Sequence, residues 1–276
     1  MNTCTICPRK CKVDRNKEIG FCKTKSIPII ASIMAHRGEE PPISGNRGSG
    51  TVFFSGCNLN CIFCQNHDIS QEVNGEPKTA DELADIFLSL EKKGVHNINL
   101  VTPSHFVPPI AEAIKRSKEH GIKIPFIYNT GGYDAIPSLQ LMEGLIDIYM
   151  PDMKYGSDSL GQRYSNVPDY FSIASKALLE MHRQVGTPVY KNGIMQRGLF
   201  IRHLVLPGLS DDSIAILDWI KANVPLAGVS LMAQYSPQFN AYKYKEINRR
   251  LTSNEYQKVA SHFKNIGLHE VYMQRI

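Results

Sequence analysis

The sequence predicts an α/β protein built on parallel strands, and three observations predict it. Beyond residue 50, apolar runs of strand length alternate with amphipathic stretches, the rhythm of repeated βα units. Unusual polar residues follow those runs, at the carboxyl ends of strands where α/β folds collect functional groups. The first fifty residues lack the rhythm and hold four of the seven cysteines. Either an open doubly wound sheet or a partial barrel satisfies this pattern.

The elements follow in order. Residues 1–50 form a small Cys-rich leader ending in the loop Pro41–Gly50, rich in Gly, Pro and Ser. Residues 51–276 form the main unit. Its strands are expected over Thr51–Gly56, Asn97–Thr102, Pro125–Asn129, Ile146–Met150, Leu199–Leu206 and Gly228–Tyr235. Thr79-Ala80-Asp81-Glu82 is a capping box that opens a helix ending near Gly94. A second helix runs from Pro109 to His120 and stops at Gly121. Others are expected near Ile136–Gly144, Tyr170–Val185, Asp211–Ala222 and Ser253–Asn265. Lys191–Gly198, polar and glycine-bearing, reads as a turn or hairpin within the fifth crossover.

At 276 residues, 42% hydrophobic and 21% charged, the chain has the make-up of a soluble globular protein with a sizeable core. Its net charge of +5 is mild and spread out, and nucleic-acid binding wants a stronger basic stripe than Lys10, Lys12, Arg15 and Lys17. No apolar run reaches the length of a membrane span, and the N-terminus has no signal-peptide core. An odd number of cysteines at metal-type spacings argues against a secreted disulfide framework and for a reducing cytoplasm.

Cys57, Cys61 and Cys64 are the strongest chemical signal: three thiols within eight residues, where Gly56, Asn58 and Asn60 mark a turn and not a core strand. A structural zinc site and a closed iron–sulfur cluster each normally take four protein ligands. A tight loop offering three suits a [4Fe–4S] cluster with one iron left open to an exogenous ligand. The C-x3-C-x2-C spacing, with Phe63 before the last cysteine, resembles the radical S-adenosylmethionine (SAM) superfamily. With the strand-end motifs below, the chain is similar to the pyruvate formate-lyase activating enzymes. The likeness is greatest to their poorly characterised branch with Cys-Pro-Arg near the N-terminus, here Cys7-Pro8-Arg9.

That resemblance implies a six-stranded partial (β/α) barrel and a [4Fe–4S] cluster on Cys57, Cys61 and Cys64 that binds SAM. It implies a radical SAM oxidoreductase, which cleaves SAM reductively and takes hydrogen from a protein or peptide. The electron donor would be a flavodoxin or ferredoxin, and glycyl-radical activation is the most specific form of the reaction. Phe63 stands where family members place an aromatic against the adenine. Asp152 and Lys154 match an Asp-x-Lys motif after strand four, in which the lysine pairs with the methionyl carboxylate. Asn129-Thr130 replaces Asp-Thr, and Thr130 and Asp152 offer oxygen ligands to a monovalent cation. Where many members grip the cofactor ammonium with Gly-Gly-Glu, this chain has Val101-Thr102-Pro103-Ser104-His105. Thr102 and Ser104 remain as acceptors, with His105 as a substrate-facing proton partner. Arg202 begins an Arg-x-x-x-x-Pro-Gly segment, and strand alternation puts Arg202, not His203, in the interior to bind a cofactor or substrate carboxylate. Gln234 is expected in the same cavity, with Tyr133 and Tyr235 at its mouth.

Cys4-x2-Cys7-x3-Cys11-x10-Cys22 places four thiols within nineteen residues, a spacing for one bound metal. A closed zinc site would staple a leader that has no core of its own, and an auxiliary [4Fe–4S] cluster also fits; spacing does not separate them. The competing functional reading is a non-catalytic zinc-dependent scaffold, in which His67 serves as fourth ligand beside the three-cysteine loop.

Overall fold

All six expected parallel strands form in the computed structural model, which describes residues 3–268 and 270–274. The leader contributes β1 (Ile29–His36) and α1 (Pro41–Ser44). Next come β2 (Ser49–Phe54), α2 (His67–Ser70), β3 (Glu76–Pro77) and α3 (Ala80–Lys92). Two simple βα units follow, β4 (Ile98–Val101) with α4 (Val107–Glu119) and β5 (Phe126–Thr130) with α5 (Ile136–Leu141). The chain continues through β6 (Ile148–Pro151), α6 (Asp158–Ser165), α7 (Tyr170–Val185), β7 (Val189–Lys191) and β8 (Ile194–Leu204). It closes with α8 (Ser210–Asn223), β9 (Gly228–Met232), α9 (Ser253–Asn265) and β10 (Glu270–Met273).

Local chemistry accounts for many of these bounds. Thr79 and Glu82 exchange both capping-box bonds at the start of α3, and Thr252 and Glu255 do the same for α9. Asn192 and Gly193, both at positive φ, turn β7 into β8 as the expected hairpin. Pro41 and Pro42 start α1, since a fixed φ and a missing N–H suit a first helical turn. The segment expected as the loop Pro41–Gly50 therefore holds this helix and the first two residues of β2.

The sheet runs β10-β9-β8-β6-β5-β4-β2-β1-β3, with β7 paired to β8. Along that order pairing is parallel from β10 to β2 and antiparallel where β1 meets β2 and β3; the β7–β8 hairpin is also antiparallel. The two ends do not meet, so the barrel is partial and leaves a gap between the leader strand and β10. Strand alternation divides the core. Tyr128, Tyr149 and Leu199 join helix residues such as Phe87 and Leu178 in the larger apolar cluster. Their neighbours Ile127, Ile148 and Phe200 meet Ile43 of α1, Met150 and Met195 inside the barrel. Phe87 meets Phe126 edge-on at 5.4 Å, and each buried phenyl contributes about 2–3 kcal/mol. No helix among the described residues is long and apolar enough to cross a membrane.

Candidate functional site

The site begins where β2 ends. Gly56 sits at φ +81°, and a Cβ there would lie 2.4 Å from the Cys22 carbonyl oxygen. Glycine alone allows this turn against the leader. The following loop is anchored by backbone and side-chain bonds. Asn58 Nδ2 donates to the Tyr133 carbonyl at 2.6 Å, and the N–H groups of Asn60 and Ile62 donate to Ser165 and Tyr164 carbonyls. Arg9 Nε donates to the Asn58 carbonyl at 2.8 Å, tying the leader to the loop.

Cys57, Cys61 and Cys64 all line one cavity of about 440 Å³. The Leu59 N–H points at Cys57 Sγ (3.4 Å), Ser165 Oγ lies 2.9 Å from Cys61 Sγ, and Ser70 Oγ lies 3.3 Å from Cys64 Sγ. Such donors tune a thiolate-bound metal. Burial pushes the Cys57 and Cys61 thiols up, and Cys57 also feels Cys61 and Cys64. Binding metal is what deprotonates ligands of this kind.

The facing wall carries the strand ends. Thr102, Asn129, Thr130, Asp152, Lys154, Arg202 and Gln234 line the same cavity, as do Phe63 and Tyr235, whose rings meet edge-on at 5.8 Å. Lys154 Nζ pairs with Asp152 Oδ2 at 2.5 Å. Burial pulls the ammonium down, but Asp152 and Cys61 outweigh it and hold Lys154 above its usual range. Tyr170 OH accepts from the Lys154 N–H and lies within hydrogen-bond reach of the Gly131 and Asp152 carbonyls. Gly132 is forced by this packing, since a Cβ there would meet the Asp152 carbonyl oxygen at 2.3 Å.

Several expectations are corrected. His105 does not face this cavity: it is 1% exposed, its Nε2 bonds the Ser55 carbonyl at 2.8 Å, and its ring packs 4.1 Å from Phe106. Burial lowers its pKa to about 3, so it stays neutral. Ser104 lies beneath the cavity wall, 3.0 Å from Thr130 Oγ1. Tyr133 is no lid, because its hydroxyl donates to Asp169 at 2.6 Å on the leader side. Arg202 does point inward, but its guanidinium is bound to Glu39 and Glu40, so it is not free for a cofactor or substrate carboxylate. His203 points the other way, between the Met153 carbonyl and Ser213 Oγ. His67 stacks on Phe239 with ring centroids 4.8 Å apart and is not among the cavity-lining residues, so it does not complete a four-ligand set.

Asp134, not anticipated from the sequence, lies 2% exposed and accepts from Tyr128 OH (2.9 Å) and Thr130 Oγ1 (2.7 Å). It holds Thr130 in place from behind. Burial raises its pKa, opposed by bonds from Ser104, Thr130 and Tyr128. Its position two residues beyond Gly132 was the signal available.

In the leader, Cys7 and Cys22 are buried and Cys4 and Cys11 half-buried. Cys7 is pushed up to about 12 by burial, with Cys22, Cys4 and Cys11 adding to it. A Cβ at Gly20 would touch both Cys11 Sγ (3.3 Å) and Cys22 Sγ (3.5 Å). Among the described residues, no group of three or more His, Cys, Asp or Glu side chains stands placed to hold a single metal ion.

The sequence model of the radical SAM superfamily matches residues 51–220. This chain belongs to the radical SAM superfamily. An uncharacterised protein of Methanocaldococcus jannaschii is 32% identical over 277 residues, covering 98% of this chain and 76% of the relative. Among solved structures, Streptococcus suis SuiB bound to precursor peptide SuiA is similar at TM-score 0.57 and 13% identity, over 79% of this chain and 46% of SuiB. HydG, a maturase of the [FeFe]-hydrogenase, is similar at 0.56 and 15%, over 86% of this chain and 54% of HydG. Methylornithine synthase is similar at 0.54 and 16%, over 78% of this chain and 62% of the synthase. This radical SAM chain shares their fold, and it spans about half the length of SuiB and HydG. Superfamily membership implies a [4Fe–4S] cluster and SAM. The residues present fit them: three thiols of one loop share a cavity with an Asp152–Lys154 pair, and an N–H and two hydroxyls address the sulfurs.

Proposed function

We propose that the chain is a radical SAM oxidoreductase of the activating-enzyme type, acting on a partner protein or peptide. The observation that carries this reading is that Cys57, Cys61 and Cys64 line the same cavity as Asp152, Lys154 and Thr130. When bound, the cluster and SAM supply a 5′-deoxyadenosyl radical, through one-electron cleavage of the sulfonium with release of methionine, and that radical takes a hydrogen atom from the substrate.

The chain's own residues bind, orient and exclude water. The three thiolates hold the cluster, and loop donors set its potential. Lys154, kept charged by Asp152, receives the methionyl carboxylate. Asn129, Thr130 and Thr102 offer oxygens to the ammonium or to a monovalent cation, with Asp134 fixing Thr130. Phe63, packed edge-on against Tyr235, meets the adenine, and the two rings together keep solvent from the reacting atoms. Gln234 faces the substrate side of the cavity.

Glycyl-radical activation, in which a backbone Cα–H is the hydrogen taken, is the most specific form of the proposal. Flavodoxin or ferredoxin is the reductant. The leader cysteines, once drawn together by the ion, hold a structural zinc in a module that also docks the partner, with an auxiliary cluster as the competing occupant. Metal analysis of protein purified without oxygen distinguishes them. The main test is 5′-deoxyadenosine formation by anaerobically reconstituted protein with SAM and dithionite, beside Cys61→Ala. Product from the wild type and none from the variant is expected. A folded, iron-loaded wild type that makes none, even with partner present, refutes the reading.

A further inference from the structure

The cofactor cavity shares a wall with a second cavity of about 390 Å³, and His36, Glu39, Arg202, Met232 and Gln234 belong to both. The second cavity occupies the gap of the partial barrel. Its rim is the end of β1, the turn Gly38–Pro41 and residues Tyr272–Gln274 at the end of β10. A chain approaching from the side would enter here.

The shared wall is electrostatically unbalanced. Glu39, Glu40 and Arg202 side chains are 10%, 12% and 12% exposed. Arg202 Nε donates to Glu40 Oε1 at 3.0 Å, and Nη2 donates to both carboxylates. Burial works against the Glu40 carboxylate, yet Arg202 and Ser230 outweigh it and hold it below the usual carboxylate range. His36 Nδ1 stands 3.6 Å from Glu39 Oε1. Two carboxylates thus share one guanidinium among the described residues. The nearby Asp152–Lys154 pair cancels itself. Surplus negative charge in a confined site is costly until a cation meets it.

A second observation concerns Asn99, which is fully buried and reaches into this group. Its Nδ2 donates to Glu39 Oε1 at 3.1 Å, while its buried Oδ1 has no donor among the described residues. Asn99 lines neither cavity, so it stands behind Glu39 and orients that carboxylate from the barrel interior.

We propose that the lateral cavity binds a substrate group bearing an alkylammonium or guanidinium, held by Glu39 and Glu40, with Asn99 supporting Glu39 from behind. This subsite rests on the radical reading above, because it would present C–H bonds next to that cation to the cofactor cavity. An anionic substrate group is disfavoured, since the guanidinium on this wall is already taken by carboxylates.

The test is calorimetric titration of agmatine, which carries a guanidinium and an ammonium, into anaerobically reconstituted full-length protein at pH 8. Neutral N-pentylurea and anionic hexanoate are run beside it. The expected result is binding of agmatine alone, weakened roughly tenfold or more in Glu40→Gln, the size of one charge-assisted hydrogen bond. Glu39→Gln serves if Glu40→Gln fails to fold by circular dichroism. Arg202→Met frees both carboxylates and is expected to bind agmatine roughly tenfold tighter, an effect that a merely structural ion pair does not produce. Agmatine affinity unchanged in both glutamine variants overturns the subsite. So does absence of agmatine binding by wild-type protein that makes 5′-deoxyadenosine, and the radical reading then stands. Agmatine binding by folded, iron-loaded protein that makes no 5′-deoxyadenosine even with partner present keeps the subsite and sinks the radical reading.

Discussion

Replacing Gly56 by alanine tests whether leader and cysteine loop are one mechanical unit. Gly56 stands at φ +81°, where an L-residue pays about 1–2 kcal/mol. The added Cβ would meet the Cys22 carbonyl oxygen at 2.4 Å, Thr24 Cγ2 at 2.8 Å and His105 Nε2 at 3.2 Å. The nearest of these is backbone, so the leader or the end of β2 must shift, and such overpacking costs roughly 1–3 kcal/mol more. Gly94→Ala is the control: its φ is +82° and nothing lies within 4 Å, so it pays only the conformational cost. Both variants are melted at one scan rate after anaerobic reconstitution, and iron per chain is measured. At roughly 2–4 °C per kcal/mol for a chain of this size, Gly56→Ala melts about 2–12 °C below Gly94→Ala. It also loses iron, because Cys57 is the next residue. If the two variants melt together and Gly56→Ala keeps its iron, the leader does not press on the loop and the coupling argued here is wrong.

Lys154→Met leaves Asp152 without its cation and removes the partner for a carboxylate; SAM affinity by equilibrium dialysis falls roughly 10- to 100-fold, and an unchanged affinity rules out the assigned contact. Burial lowers His105 to about 3 and His203 to about 4, so both stay neutral in the fold while the unfolded chain protonates them below about 6.5. Their stability is therefore fully present above about pH 6.5 and lost as pH falls toward 4, together about 4 kcal/mol at pH 5. His203→Gln halves that part of the acid sensitivity in urea midpoints measured against pH, and an unaltered pH dependence contradicts the burial of His203. Arg9→Gln removes donors to the Asn58 and Asn166 carbonyls, and limited proteolysis then cuts the leader several-fold faster; equal rates place the anchorage elsewhere.

The parts legible in the sequence were those set by neighbours along the chain. Strand and helix periodicity, the Thr79 capping box and the Asn192-Gly193 turn depend on a few consecutive residues, and the structure has them close to where they were expected. The Cys57–Cys64 spacing is likewise local, and so is the run that places Asp152 and Lys154 at the end of β6. Strand ends misled at His105. Thr102 takes a positive φ as β4 ends, and His105 then packs against Phe106 and the Ser55 carbonyl, outside the cavity.

The sequence alone determined the α/β class, six of the seven parallel strands and the three-thiol loop, because periodicity and ligand spacing are short-range properties. Only the tertiary structure decided that β1 belongs to the sheet and that Glu39 and Glu40 close on Arg202, some 160 residues away. It alone brought Asp134 behind Thr130 and left the gap between β1 and β10. The reason is physical: these partners are chosen by strand order and by the inward or outward face of each residue. Both are settled only when the whole sheet has assembled.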